Sequence, residues 1–396
     1  MLAQRTALFK LSGTAAATAA AKAAAARGED IIDLTSGEIW CGLAPSVRDG
    51  AIAAINRDAN RYTDTIGLVE LRDALARKIS SETALPWSAD EIAVTSGAKQ
   101  ALFNASMALL NPGDEVLIPS PYWTTFPAQV VLSGARPLFI ETRHNKYVPL
   151  LSDIEAAITP KSKAIVINTP NNPTGAVYGH DTLLGIATIA IDRKLWIIFD
   201  ECYGPFVHAP HIHYPIVSVL PQVRDRTLIV NSFSKSLALP GWRIGYLAGP
   251  KMVIDAVRSL QSHTTSNPNV IAQHALLNHL QSGDSGFQSK LKRHITSGRT
   301  LGLSLLSKLQ LVPPPLAEGG FCFYLDLSAF QRRASIDGHE FSADEVANSL
   351  LLDAGVATVS GTAFGDAVGM RLFYGIDLAL LDKALRRVTE TLNAWK

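Results

Sequence analysis

Short, nearly all-apolar runs recur along the chain at Glu91–Thr95, Glu115–Pro119, Lys163–Asn168, Leu195–Phe199, Thr227–Val230 and Arg243–Ala248. Runs of this length bounded by turn residues predict strands buried on both faces, because half-exposed strands alternate apolar and polar positions instead. Between several of them the spacing is helical, as in Ala98–Leu110, which stops at Asn111-Pro112-Gly113, and in His180–Lys194. This alternation predicts an α/β fold with a largely parallel sheet wrapped by helices. In such sheets ligands bind beyond the carboxyl ends of the strands. Gly97, Asn172, Asp200 and Lys235 all follow predicted strands.

After Lys251 the pattern turns to a long helical region, then to strands at Phe321–Leu327, Val356–Val359 and Met370–Gly375 with a helix at Ala343–Ala354. Pro313-Pro314-Pro315 is the clearest breaker, so a large domain over residues 46–312 and a smaller α+β domain over 313–396 are expected. At the other end the Ala-rich stretch Ala15–Arg27 reads as a helix stopped at Gly28 and leading into a strand at Asp30–Thr35. A removable targeting segment is the other reading of that stretch, and Lys22 interrupts the only run that could serve as its apolar centre.

Composition narrows the chemistry. The 396 residues, 47% of them hydrophobic, suffice for a sizeable core. With 36 basic and 35 acidic residues the formal net charge is +1, so no global field draws in nucleic acid or an anionic membrane. No apolar stretch reaches the roughly 18 residues of a membrane span. Cys41, Cys202 and Cys322 show neither zinc-ligand nor disulfide spacing, and a reducing, cytoplasmic setting with no metal is expected.

The densest chemistry lies at residues 230–245, where Lys235 sits in a Ser-rich turn with Ser232 and Ser234 while Arg243 follows eight residues on. A lysine can condense with an aldehyde, hydroxyls and a guanidinium fork suit a phosphate, and an aldehyde cofactor needs both. Ser232-x-x-Lys235 also occurs in penicillin-recognising serine enzymes, but the Ser-Asp-Asn and Lys-Thr-Gly motifs those enzymes need are missing here. The stretch resembles the lysine motif S-x-S-K-x-x-x-x-P-G-x-R-x-G of class I and II, fold type I, pyridoxal-phosphate-dependent aminotransferases. Ser232, Ser234, Lys235, Pro240, Gly241, Arg243 and Gly245 meet all its fixed positions.

The resemblance runs from about Leu11 to the C-terminus and implies a role for each matching residue. Lys235 would hold the cofactor as a Schiff base and then move a proton between the substrate α-carbon and C4′. Asp200 and Tyr203, in Asp-Glu-Cys-Tyr, would face the pyridine nitrogen and the phenolic oxygen; by itself, a buried acid at a strand end reads equally as a structural ion pair. Asn172, in Asn-Asn-Pro-Thr-Gly, would donate to the phenolic oxygen, although that loop is also simply a good turn. Gly97, Ala98 and Lys99 open a helix and would join Ser232, Ser234 and Arg243 around the phosphate. Trp123 would stack on the ring, with a core or rim tryptophan the alternative.

For the substrate, the resemblance implies that Arg371 clamps the α-carboxylate, with Gly37, Trp123 and Asn172 beside it, and that Tyr62 reaches the phosphate of a second subunit in a homodimer. It also places the N-terminal segment, residues 1–45, in the small domain. The implied activity is transfer of an amino group from an L-amino acid to a 2-oxo acid. A β-lyase on the same fold, or an effector-binding domain of a regulator, stays open at this point. Relatives usually continue Pro-Asp-Phe after Gly37-Glu38, whereas this chain has Ile39-Trp40-Cys41, and Ser262 stands where one branch carries an arginine for acidic side chains. Those departures lead to the expectation of a neutral or aromatic donor rather than aspartate.

Overall fold

The apolar runs become a central sheet because every residue in several of them is buried on both faces. In the computed structural model, which describes residues 2–8, 12–39, 41–283, 286–336 and 340–394, the strands are β1 (Ile32–Asp33), β2 (Ile92–Thr95), β3 (Glu115–Ser120), β4 (Arg136–Glu141), β5 (Ser162–Asn168), β6 (Trp196–Asp200), β7 (Thr227–Ser232), β8 (Gly245–Ala248), β9 (Cys322–Asp326), β10 (Val356–Ala357), β11 (Val359–Ser360) and β12 (Gly369–Phe373). The large sheet runs β2-β8-β7-β6-β5-β3-β4. Its pairs are parallel except those of β8, which is antiparallel to both neighbours.

The reversal of β8 shapes the site. The link from β7 to β8 carries only a helical turn at Phe233–Ser236 and a short turn at Pro240–Trp242, too little for a crossover, so the chain doubles back. The amino end of β8 therefore lies at the same sheet edge as the carboxyl ends of the parallel strands. Ser232 and Thr95 both pair with Gly245 there, while Asp200 pairs with Asn168.

Two sequence expectations need correcting. β4 was not expected; it is an edge strand with Pro137 in it and a mostly exposed face, so it lacks the continuous apolar signature. The single strand expected at Val356–Val359 is split: β10 pairs parallel with β1, and β11 antiparallel with β12. The second core includes Leu291, Ile295, Leu305 and Leu306 of the helix Phe287–Leu306, packed with Leu381, Leu385 and Val388 of the last helix, Leu378–Ala394. That helix is amphipathic and lays its apolar stripe on the small unit before the prolines are reached. Ile32 and Leu34, from the N-terminal segment, belong to the same core.

Candidate active site

One cavity of about 360 Å³ opens at the sheet edge where β8 reverses. Gly37, Ala98, Lys99, Trp123, Asn172 and Asp200 line it, together with Tyr203, Ser232, Ser234, Lys235, Arg243 and Arg371. A larger cleft, about 490 Å³, lies beside Glu201 and His213 and contains none of these residues. Tyr62 stands apart, 90% exposed.

At one end the residues suit a phosphate. Gly97 precedes the helix Ala98–Leu109 with φ 81°, and a Cβ there would come within 2.9 Å of Arg243 Nη2, so only glycine lets the guanidinium lie against the helix start. Arg243 itself adopts a left-handed φ of 52° and is held by donating to Pro240 O at 2.9 Å and Ser96 O at 3.1 Å. Burial, with help from the Arg243 charge, pulls the Lys99 ammonium below its ordinary value. Two cations, a helix N-terminus and the hydroxyls of Ser232 and Ser234 together form a donor-rich surface, the chemistry a phosphate dianion requires.

In the middle, Asp200 is 3% exposed at the end of β6 and forms no ion pair among the described residues. Burial pushes its carboxyl up to about 6; the Cys202 N–H, donating to Oδ1 at 3.0 Å, works against that, and Glu201 adds to it. A buried acid in this position wants a cation, and a protonated pyridine nitrogen would be one. Lys235 Nζ donates to Gly37 O at 2.5 Å and lies 5.8 Å from the Tyr203 ring and 5.6 Å from Phe321. Burial holds its amine below the ordinary lysine value, which favours the neutral, nucleophilic form. Burial likewise pushes the Tyr203 phenol up. Trp123 is half-buried, edge-on to Phe126 at 5.6 Å, with Lys99 Nζ 5.5 Å from its ring.

At the far end Arg371, 4% exposed on β12, donates from Nη1 to Asn172 Oδ1 at 3.0 Å and from Nη2 to Thr35 O at 2.8 Å. Arginine has no acceptor, so the Asn172 amide must turn its oxygen to Arg371, which leaves its NH₂ for a second acceptor. Asn172 N donates to Asn168 Oδ1 at 2.8 Å, fixing the loop on β5. Nε of Arg371 is buried without a hydrogen-bond partner among the described residues, a donor suited to a carboxylate. Pyridoxal phosphate thus fits the residues present at its phosphate, its ring nitrogen and its aldehyde.

The same cavity is also lined by Pro240 of the lysine motif and by Thr14, Asn168 and Cys202, to which the motif reading gave no role. Cys202 supplies the N–H that holds Asp200. Thr14 comes from the helix Gly13–Ala26, and its Oγ1 is buried without a partner among the described residues. Its only sequence signal was a hydroxyl in an alanine run. Ile39, expected near the substrate, is buried at 4% in the second core, and Trp40 lies outside the described residues.

Among the described residues no helix is long and apolar enough to cross a membrane. The family model "Aminotransferase class I and II" matches residues 29–388. A probable aspartate/prephenate aminotransferase of Rhizobium leguminosarum is 37% identical over 98% of this chain and 97% of its own. An aspartate/prephenate aminotransferase of Thermus thermophilus is 37% identical over 99% of both. The solved aspartate aminotransferase of Thermus thermophilus with maleate superposes with a TM-score of 0.91 at 35% identity, over 98% of this chain and 99% of that one. The chain therefore belongs to the class I and II aminotransferases, enzymes of fold type I that work with pyridoxal phosphate.

Proposed function

We propose that this aminotransferase takes its nitrogen from an acidic amino acid of the aspartate type and passes it to a 2-oxo acid. The observation that carries the reading is the Thr14 hydroxyl, buried without a partner among the described residues, which lines the same cavity as Arg371 and offers a donor for a second carboxylate. The relatives' names, aspartate and aspartate/prephenate aminotransferase, support it. The contrary expectation of a neutral donor leaned on Ile39, Trp40 and Ser262, and of these Ile39 is buried in the second core.

When bound, pyridoxal phosphate supplies the electron sink for charge that develops on the substrate α-carbon. Arg371 receives the α-carboxylate with its fork, and Asn172, turned by Arg371, offers its NH₂ beside it. Lys235 Nζ, whose amine burial holds below the ordinary lysine value and which donates to Gly37 O, would take the proton from the substrate α-carbon and deliver it at C4′ of the cofactor. Asp200 would offer a negative charge to the ring nitrogen, Tyr203 would donate to the phenolic oxygen and Trp123 would cover the ring face. Gly97, Ala98, Lys99, Ser232, Ser234 and Arg243 would anchor the phosphate, and Gly37 would lie beside the substrate carboxylate.

Donor preference is tested by kcat/KM for aspartate, alanine and phenylalanine with a common acceptor. Aspartate is expected to lead by about tenfold or more, because its side-chain carboxylate accepts from the buried Thr14 hydroxyl, which an apolar side chain would leave unpaired. Phenylalanine ahead of aspartate would refute the assignment.

The reading extends to a homodimer in the cytoplasm, in which exposed Tyr62 completes the phosphate site of the other copy; three free cysteines, two of them buried, agree with a reducing compartment. Mixing inactive Lys235→Ala with inactive Tyr62→Ala should restore some activity through hybrid sites, whereas Lys235→Ala with Arg243→Ala, which share one subunit's site, should not. Equal recovery in both mixtures contradicts the cross-subunit role.

A further inference from the structure

Arg371 does not stand on its own strand alone. The ring of Phe364 lies under its guanidinium, 4.9 Å from ring centre to Cζ. Phe364 ends the short turn Gly361–Phe364, and that turn is tied to the large sheet at several points. Tyr122 N donates to Phe364 O at 3.1 Å, and Ser120 Oγ donates to Gly365 O at 3.3 Å. The strongest tie is ionic: Arg143, just beyond edge strand β4, donates from Nη2 to Asp366 Oδ1 and brings Nη1 to 2.8 Å from Asp326 Oδ1. Asp366 is 9% exposed and also accepts from Tyr324 Oη at 2.7 Å and Val368 N at 3.1 Å, while its own N–H donates to Gly361 O at 2.9 Å.

The backbone around Arg143 is costly in itself. Lys146 and Tyr147 follow with φ of 53° and 65°, two successive left-handed residues that are not glycine. Such conformations persist only where the surroundings over-determine them. Tyr147 is buried in a small cluster with Ala176, Tyr324, Val359 and Phe364, edge-on to Tyr324 at 5.6 Å, and the Arg143 guanidinium lies 5.7 Å from its ring. A strained segment of the large unit and the turn that carries Phe364 are thus locked together by one buried cluster and one guanidinium.

We propose that Arg143, through Asp366 and the Phe364 turn, is a positioning residue for Arg371 and so sets affinity for the substrate α-carboxylate from a site that never touches substrate. The proposal rests on the reading that Arg371 binds that carboxylate. Loss of Arg143 leaves Asp366 buried without its cation, and the turn relaxes toward whatever geometry hydrates it. Phe364 shifts with the turn, and the guanidinium above it loses its platform. Lys235, Asp200 and the phosphate cradle lie on other elements and are untouched.

The test is steady-state kinetics of the holoenzyme with the amino donor varied, alongside the cofactor's absorbance band and affinity. Arg143→Met should raise donor KM about tenfold or more, with kcat within about threefold and the cofactor readouts unchanged. Tyr324→Phe, which removes only the hydroxyl donated to Asp366, should move KM the same way by less, and it decides by the same criterion if Arg143→Met does not fold. Arg371→Lys serves as the reference and should raise KM at least as far. If Arg371→Lys raises KM but Arg143→Met and Tyr324→Phe stay within about twofold of wild type, the positioning role is overturned while the carboxylate reading stands. If Arg371→Lys leaves KM unchanged, the carboxylate reading itself fails. A KM rise matched by an equal loss of cofactor affinity also overturns the proposal, since general loosening would produce that.

Discussion

Lys235→Ala should retain the fold and anchor the cofactor by its phosphate, yet turn over roughly 10⁴-fold or more slowly, the scale of losing a nucleophile and a general base together. The side chain is half-buried and among the described residues hydrogen-bonds to Gly37 O, so its removal leaves little unpaired. The phosphate groups, Gly97, Ser232, Ser234 and Arg243, lie on the helix start and the β7–β8 link and do not depend on it. Borohydride reduction of the wild type followed by peptide mapping should place the cofactor on Lys235. A label on another lysine, or near-normal turnover of the variant, would remove Lys235 from the centre of the reaction.

Asp200→Ala should lower kcat by roughly 10²–10³-fold, the scale of removing one preorganised charge partner, while changing cofactor affinity less. The carboxylate matters most when negative charge builds on the α-carbon, because only then does the ring nitrogen need its proton. Asp200 also leaves a pH signature in cofactor-free protein. Its folded value, about 6, lies above the ordinary 3.8, so the folded state holds the proton more tightly than the unfolded chain. The associated stability is complete below about 3.8 and is lost as pH rises through 6. Denaturation midpoints of wild type should therefore fall relative to Asp200→Ala across that window. Parallel pH profiles, or a kcat close to wild type, would reduce Asp200 to a structural acid.

The sequence by itself determined most of the cofactor end. Ser232, Ser234, Lys235 and Arg243 lie within a dozen residues, and Asp200, Asn172 and Gly97 each follow a strand whose apolar run is legible, because a parallel sheet delivers its loops to one edge whatever the details of packing. The substrate end was less legible. Thr14 reaches the cavity only because the N-terminal helix lies against the second unit, and Cys202 matters through a backbone N–H that no side-chain pattern records. Ile39 reads as a pocket residue along the chain but turns into the second core. The pairing of β4 onto β3 at the sheet edge, the allegiance of the helix Phe287–Leu306 and the tie from Arg143 to Asp366, 223 residues apart, were decided by tertiary structure alone. Local sequence carries periodicity and turn chemistry, which act over a few residues, whereas these features depend on which faces meet after the chain has closed loops of a hundred residues or more, and periodicity carries no record of that choice.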